Sequence, residues 1–120
     1  MDQDTFKART KKFALDIIQL IGKLPRSRTT DVIAAQFLRS STSVGANYRA
    51  ACRAKSTADM INQLRIVEEE SDESFYWLEL LMDARLITED SAKGLLKEGN
   101  EILAMTIASI KTLQSHNRKS

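Results

Sequence analysis

Apolar residues recur at three- and four-residue steps through most of this 120-residue chain. Such steps lay side chains along one face of an α-helix, whereas a half-buried strand requires alternation at every second residue. One proline and four glycines are few for this length, and they argue against an all-β or loop-rich fold. The pattern predicts long helices, and the length suits a single domain with its own core.

Pro25 makes the clearest break in this helical pattern. Proline lacks an N–H and disfavours helical geometry in the residue before it, so we expect a first helix over about residues 4–24. We expect a second helix over about residues 30–55, with Thr29 or Thr30 as its N-cap.

The centre of the second helix, residues 39–47, is rich in Ser, Thr, Asn and Gly, which have poor intrinsic helix propensity. Propensity alone would predict a loop there. The apolar stripe formed by residues such as Phe37, Val44 and Tyr48 keeps its phase across the segment, and small residues allow two helix backbones to approach closely. We therefore expect an unbroken helix.

Two hydroxyl residues predict the starts of the remaining helices. Ser56 can cap a third helix over about residues 57–86, and Thr88, which precedes two acidic residues, can cap a fourth over about 88–114. Residues 115–120 contain no apolar anchor and are expected to fray. These elements predict an all-α fold, an antiparallel up-down-up-down four-helix bundle that comprises the whole chain.

The predicted third helix carries two lines of residues at helical spacing. The main line includes Leu64, Val67 and Leu78 and is typical of the buried side of a bundle helix. The second keeps the same steps about 120° away, and it consists of Ile66, Glu70, Glu73, Trp77 and Leu80. A helix buried against one set of partners needs one apolar face, so Trp77 and Leu80 indicate contact with another subunit. Alternatively, Trp77 covers the edge of its own bundle.

Charge is distributed unevenly along the chain. Residues 1–56 hold 11 Lys/Arg against 4 Asp/Glu, net +7, and residues 57–120 hold 7 against 12, net −5. Clustered cations are what phosphate binding requires, and the candidate nucleic-acid-binding residues are Arg26, Arg28, Arg39, Arg49, Arg53 and Lys55. Alternatively, the two halves attract each other within or between subunits.

The sequence offers no recognisable catalytic or cofactor chemistry. Its only histidine, His116, lies near the chain end, so neither a nucleophile-base pair nor the Glu-x-x-His ligands of di-iron bundles can be assembled. Glu70 and Glu73 are expected to pair with arginines such as Arg39 across a helix or subunit boundary. Cys52 is expected in the core. We predict no enzyme, metal or cofactor, no membrane span, and a cytoplasmic location.

Two segments of the chain resemble a known family. Residues 37–47 read FLRSSTSVGAN and residues 70–81 read ESDESFYWLELL. They are similar to the stretches LRRSATSIGANI and EANETxYWLELL of the four-helix-bundle proteins encoded in bacterial 23S rRNA intervening sequences. The positions that match the family pattern are Arg39, Ser43, Gly45, Asn47, Glu70, Glu73, Tyr76 and Trp77.

The resemblance implies a closed homopentameric ring of bundles. It also implies a relation to the accessory variability determinants of diversity-generating retroelements, which bind a reverse transcriptase and nucleic acid. The function expected from residues and resemblance together is a non-enzymatic homo-oligomer associated with RNA, rRNA, DNA or a reverse-transcriptase complex. The alternative is a protein-protein scaffold with no direct contact to nucleic acid.

Overall fold

The computed structural model of this chain describes residues 2–119, with side chains as far as His116. Within that range the chain is all-α and contains no strand. The four helices are α1 (Gln3–Gly22), α2 (Arg28–Cys52), α3 (Thr57–Asp83) and α4 (Glu89–Lys119).

Neighbouring helices in the sequence lie side by side and run in opposite directions. The Phe6 ring, near the start of α1, lies 4.5 Å from the Tyr48 ring, near the end of α2. The Ser74 hydroxyl of α3 donates to the Ser40 hydroxyl of α2 at 2.9 Å. Because α4 packs against both α3 and α1, the order closes into an up-down-up-down bundle.

The core is built from the stripes that the sequence predicts. Side chains with less than 2% of their surface exposed come from all four helices. The largest of them are Ile17 on α1, Phe37 on α2, Leu64, Leu78 and Leu81 on α3, and Ile102 on α4. Phe37 and Val44 of the predicted α2 stripe and Leu64 and Leu78 of the predicted main line of α3 are therefore confirmed as buried, whereas the fully buried Leu81 lies outside that line. Burial of these side chains is the main force that stabilises the bundle.

The centre of α2 is helical without interruption, as predicted. Its hydroxyl groups donate to carbonyl oxygens of the same helix, Ser40 to Phe37 at 3.2 Å and Thr42 to Leu38 at 2.8 Å. Such bonds satisfy the polar side chains locally, so that a low-propensity segment can lie in a buried seam.

The predicted cap of α2 was wrong by two or three residues. Ser27 rather than Thr29 or Thr30 is the N-cap, since its backbone is extended and its hydroxyl accepts from the Thr30 N–H at 3.1 Å. Arg26 and Asp31 bond across this start at 2.8 Å. The first helix ends at Gly22, because the next two N–H groups bond three residues back and tighten the last turn before the proline.

The ends of the other helices also differ from expectation. Ser56 and Thr88 cap α3 and α4 as predicted, each accepting from the N–H three residues on. Helix α3 ends at Asp83 rather than near residue 86, because Arg85 adopts a left-handed φ of 62° and the Leu86 N–H closes back onto the Leu81 carbonyl at 2.9 Å.

The predicted C-terminal ends of α2 and α4 also differ from those in the structure. Helix α2 ends at Cys52 rather than near residue 55, because the N–H groups of Arg53 and Ala54 bond three residues back. Helix α4 continues to Lys119 where fraying was expected from residue 115, and Ser120 lies outside the described residues. No proline or glycine interrupts this last stretch, and each added residue of an existing helix gains one backbone bond.

Glycines mark where helix backbones meet. A Cβ added at Gly45 of α2 would lie 3.2 Å from the Thr10 hydroxyl of α1, so the two helices are in close contact there. A Cβ at Gly99 of α4 would lie 3.5 Å from the Phe13 ring. One at Gly94 would meet nothing within 4 Å, so close packing does not account for that glycine.

Gly45→Leu should lower the free energy of unfolding by about 1 to 3 kcal/mol, because the new side chain overpacks the α1–α2 seam. Gly94→Ala, the control in open space, should raise it by about 0.5 to 1 kcal/mol through helix propensity. Urea denaturation followed by circular dichroism measures both. Equal effects would show that α1 and α2 are not closely packed at Gly45.

Candidate interaction surfaces

The centre of the α2–α3 seam carries an ionic cluster, which we call the Arg39 cluster: Arg39, Glu70, Glu73 and Trp77. The Arg39 guanidinium of α2 donates to both oxygens of Glu70 at 3.1 and 3.2 Å and also bonds to Glu73. The Trp77 indole N–H donates to Glu73 at 3.0 Å. The side chains of Arg39, Glu70 and Glu73 are 46%, 19% and 36% exposed, so the cluster lies at the surface.

Within the Arg39 cluster, Arg39 and Glu73 shift each other's pKa values. The bond from Trp77, together with those from Arg39, holds the pKa of Glu73 below its ordinary value against the opposing effect of burial. The bonds to Glu73 and Glu70 raise the pKa of Arg39, which stays charged. Two carboxylates thus surround one guanidinium within a single chain, and the cluster has one excess negative charge.

The second line of α3 contains three members of this cluster, with Ile66 and Leu80 at its two ends. Ile66 is 36% exposed and Leu80 is half-buried. Trp77 packs partly on the core of its own bundle, and the exposed Tyr76 ring meets it edge-on with centroids 5.1 Å apart. Trp77 therefore covers the edge of its own bundle and also borders exposed apolar surface, and its contact with another subunit stays a prediction.

Another apolar patch, which the sequence did not reveal, lies across α1 and α2. Leu15 and Ile18 of α1 are 49% and 45% exposed, and Leu38 of α2 is 39% exposed. A depression between the two helices is lined by Gly22 and Leu38, and Leu15, Ile18 and Gly22 share one face of α1 through steps of three and four. The same spacing in the sequence could have identified this patch, which we call the α1–α2 patch.

The six candidate nucleic-acid-binding residues do not form one continuous face. Arg26 bonds to Asp31, and Arg39 belongs to the Arg39 cluster. Arg28 opens α2, about 30 Å along the helix from Arg49 at a rise of 1.5 Å per residue. Arg49, Arg53 and Lys55 remain together at the end of α2, all exposed.

Cations of α1 join these three residues. Because the Phe6 and Tyr48 rings are in contact, the start of α1 lies beside the end of α2. We call the combined group the basic end, and it consists of Lys7, Lys11, Arg49, Arg53 and Lys55. Among the described side chains, none of these five takes part in an ion pair.

Chemical capacity elsewhere is limited. In the described part of the chain, no three His, Cys, Asp or Glu residues come together as metal ligands do. Cys52 is a free, half-buried thiol that packs on the core. None of the helices over residues 2–119 has the length and apolarity that crossing a bilayer requires.

Fold and surfaces together define a four-helix-bundle protein whose distinctive features are exposed apolar and charged surfaces. The chain belongs to the 23S rRNA-intervening sequence protein family, whose sequence model matches residues 5–108. It is similar to a crystal structure from Bacteroides thetaiotaomicron VPI-5482, a protein with unknown function from the S23 ribosomal protein family, at 38% identity. The TM-score is 0.85, and the match covers 92% of this chain and 99% of that one. No curated protein matches, and neither description names an enzymatic activity.

Arg39→Met should destabilise the bundle, since it leaves the partly buried Glu70 and Glu73 carboxylates close together without their shared cation. Arg49→Met removes an exposed arginine of the same helix that has no ion-pair partner among the described side chains, and it should leave the urea midpoint unchanged. Equal midpoints for the two variants would show that the Arg39 bonds contribute nothing to stability.

The Glu73 carboxyl predicts a pH effect. Because its folded pKa is depressed, its stabilisation is full above the unfolded value of about 4.3 and is lost as pH falls through the folded value. Between pH 6 and pH 3, wild type should therefore lose more stability than Glu73→Gln, which cannot titrate. Glu69→Gln on the exposed side of α3 is the control and should follow wild type. Parallel curves for wild type and Glu73→Gln would contradict the depressed pKa.

Proposed function

We propose that this chain is a non-enzymatic homo-oligomer that binds nucleic acid through its phosphate backbone. The observation that carries the proposal is the basic end, where two cations of α1 lie at the same end of the bundle as Arg49 of α2 and as Arg53 and Lys55, which follow α2. Asp2 accepts from the Thr5 N–H at 2.7 Å and Asp59 from the Lys55 backbone N–H at 3.2 Å, and among the described side chains neither carboxylate forms an ion pair with a cation of the basic end. The cations are thus available to an anionic partner.

Oligomerisation would raise the overall affinity, because each subunit contributes one copy of this weak site. A few phosphate contacts per subunit give little affinity alone, whereas a ring presents several copies of the same end to one nucleic acid. Family membership supports RNA as the partner, because the family is described by its link to 23S rRNA. Because clustered Lys and Arg side chains bind mainly the phosphate backbone, affinity rather than sequence preference is expected.

The double variant Arg49→Glu/Arg53→Glu should bind a structured RNA about tenfold or more weakly than wild type. The affinity of the variant should also depend less on salt concentration, because two phosphate contacts per subunit are lost. Fluorescence anisotropy at low and moderate salt measures this, with duplex DNA in parallel. Lys93→Glu with Lys97→Glu on α4 is the control with the same change in net charge. Absence of binding at low salt, or equal loss in both double variants, would contradict the site.

Two different exposed surfaces support a ring. The α1–α2 patch is apolar and lies beside the basic Lys11, whereas the outer line of α3 combines Ile66 and Leu80 with the acidic Arg39 cluster. Unlike surfaces of opposite charge fit a head-to-tail contact, and such contacts close into rings when the rotation between subunits allows it. We propose that these two surfaces meet between neighbouring subunits, with five subunits as the family resemblance implies.

Leu15→Glu and Leu80→Glu would each disable one side of this contact, so each variant alone should be monomeric by light scattering. Mixed in equal amounts, they should form a heterodimer, because the intact α3 surface of Leu15→Glu can still meet the intact α1–α2 patch of Leu80→Glu. A two-fold contact, in which a single surface meets its own copy, would yield no new species on mixing. Wild type that is monomeric at micromolar concentration would contradict the ring itself.

The alternative function is a protein scaffold without direct contact to nucleic acid. The exposed apolar residues of α1, α2 and α3 favour this alternative, because they suit protein partners better than phosphates. A ring that assembles normally yet shows no RNA or DNA binding would support the scaffold over the nucleic-acid proposal.

A further inference from the structure

A cavity of about 410 Å³ opens between α1 and α4 at the end of the bundle where α1 begins. Its floor reaches the core, since it includes Phe6, Tyr48 and Leu64, which are 6%, 8% and 1% exposed. Met60 and Met105 form part of its walls. We call it the α1–α4 cavity, and its volume lies within the range of small-molecule sites.

Unequal helix lengths account for this cavity. Helix α1 has 20 residues, whereas α4 has 31. At 1.5 Å per residue the two differ by about 16 Å, so the first turn of α1 leaves part of α4 uncovered. Met60 of α3, which is half-buried, consequently lines the opening.

The lining of the cavity carries no charge, although 28% of the residues in this chain are charged. The nearby Arg9 donates to the Met105 sulfur at 3.4 Å, but its charge is matched by Glu98. A second cavity along the same seam, of about 610 Å³, is lined by Lys12, Asp16, Lys23 and Glu98. Of these two cavities, only the α1–α4 cavity has an uncharged lining. A charged ligand would lose its hydration there without gaining a counter-charge.

Neutral polar groups complete the site. Ser109 and Thr112 of α4 lie at its exposed rim. Tyr48 lies deeper, and burial raises the pKa of its phenol, so the group is neutral. The Phe6 ring, 4.5 Å from the Tyr48 ring, adds a flat aromatic surface. Methionine side chains are flexible enough to adapt to a range of apolar shapes.

We propose that the α1–α4 cavity binds a neutral, mainly apolar small molecule that carries a hydrogen-bonding group. Aromatic and aliphatic side chains bury the apolar part of the molecule, and the Tyr48 phenol or the rim hydroxyls meet its polar group. The site is separate from the Arg39 cluster and does not depend on the nucleic-acid proposal.

The test uses the full chain and the neutral fluorophore N-phenyl-1-naphthylamine. Titration should give saturable binding of one probe per subunit with a blue-shifted emission. Ser109→Phe places a ring at the rim and should weaken binding by about tenfold or more, whereas Ser115→Phe, an exposed serine of α4 outside the lining, should change it less than about twofold. Thr112→Phe is the second blocking variant should Ser109→Phe fail to fold by circular dichroism.

Four results would overturn the proposal. The first is an absence of saturable binding to wild type, and the second is binding that both blocking variants leave unchanged. The third is that Ser109→Phe alters the subunit number by light scattering, which would show that another copy of the chain occupies the cavity. The anionic analogue 8-anilino-1-naphthalenesulfonate should bind at least about tenfold more weakly, and equal affinity would contradict a neutral ligand.

Discussion

Close contact between α2 and α3 is the constraint on which the rest of this structure depends. Ser40 and Ser74 are fully buried and bond to each other at 2.9 Å, so the two backbones approach more closely than large side chains would allow. Only that approach lets Arg39 reach both Glu70 and Glu73 from the neighbouring helix. The seam thus sets the register of α2 against α3 and, with it, the direction in which the outer residues of both helices point.

The same small residues explain why propensity failed as a guide in the centre of α2. Residues 39–47 would be poor in an isolated helix, yet burial of Phe37, Val44 and Tyr48 stabilises the segment through tertiary packing. The three- and four-residue spacing of the apolar residues is visible in the sequence, so the four helices and most of their buried faces could be predicted from it. Helix ends could not be predicted as well, because they depend on backbone choices such as the left-handed Arg85, for which the sequence contains no glycine signal.

The interaction surfaces were predictable only in part. Pairing of Arg39 with acidic residues follows from helix spacing, but sequence alone could not show that both partners lie in the same chain. The basic end was hidden because Lys7 and Lys11 are far in sequence from Arg49, and only the antiparallel contact of Phe6 with Tyr48 brings them together. Exposed Leu15 and Ile18 were missed because single apolar residues outside a core stripe are common on protein surfaces.

Hydrogen exchange of individual amides, followed by NMR in the native state, tests the central claim about α2 most directly. If the packed seam maintains the helix, amides of residues 41–47 will exchange only through opening of the whole bundle, with protection equal to that of Val67 and Leu78 in α3. Protection in that segment as low as at the exposed end of α4 would mean that the centre of α2 opens independently, and it would contradict the seam as the element that orders these surfaces.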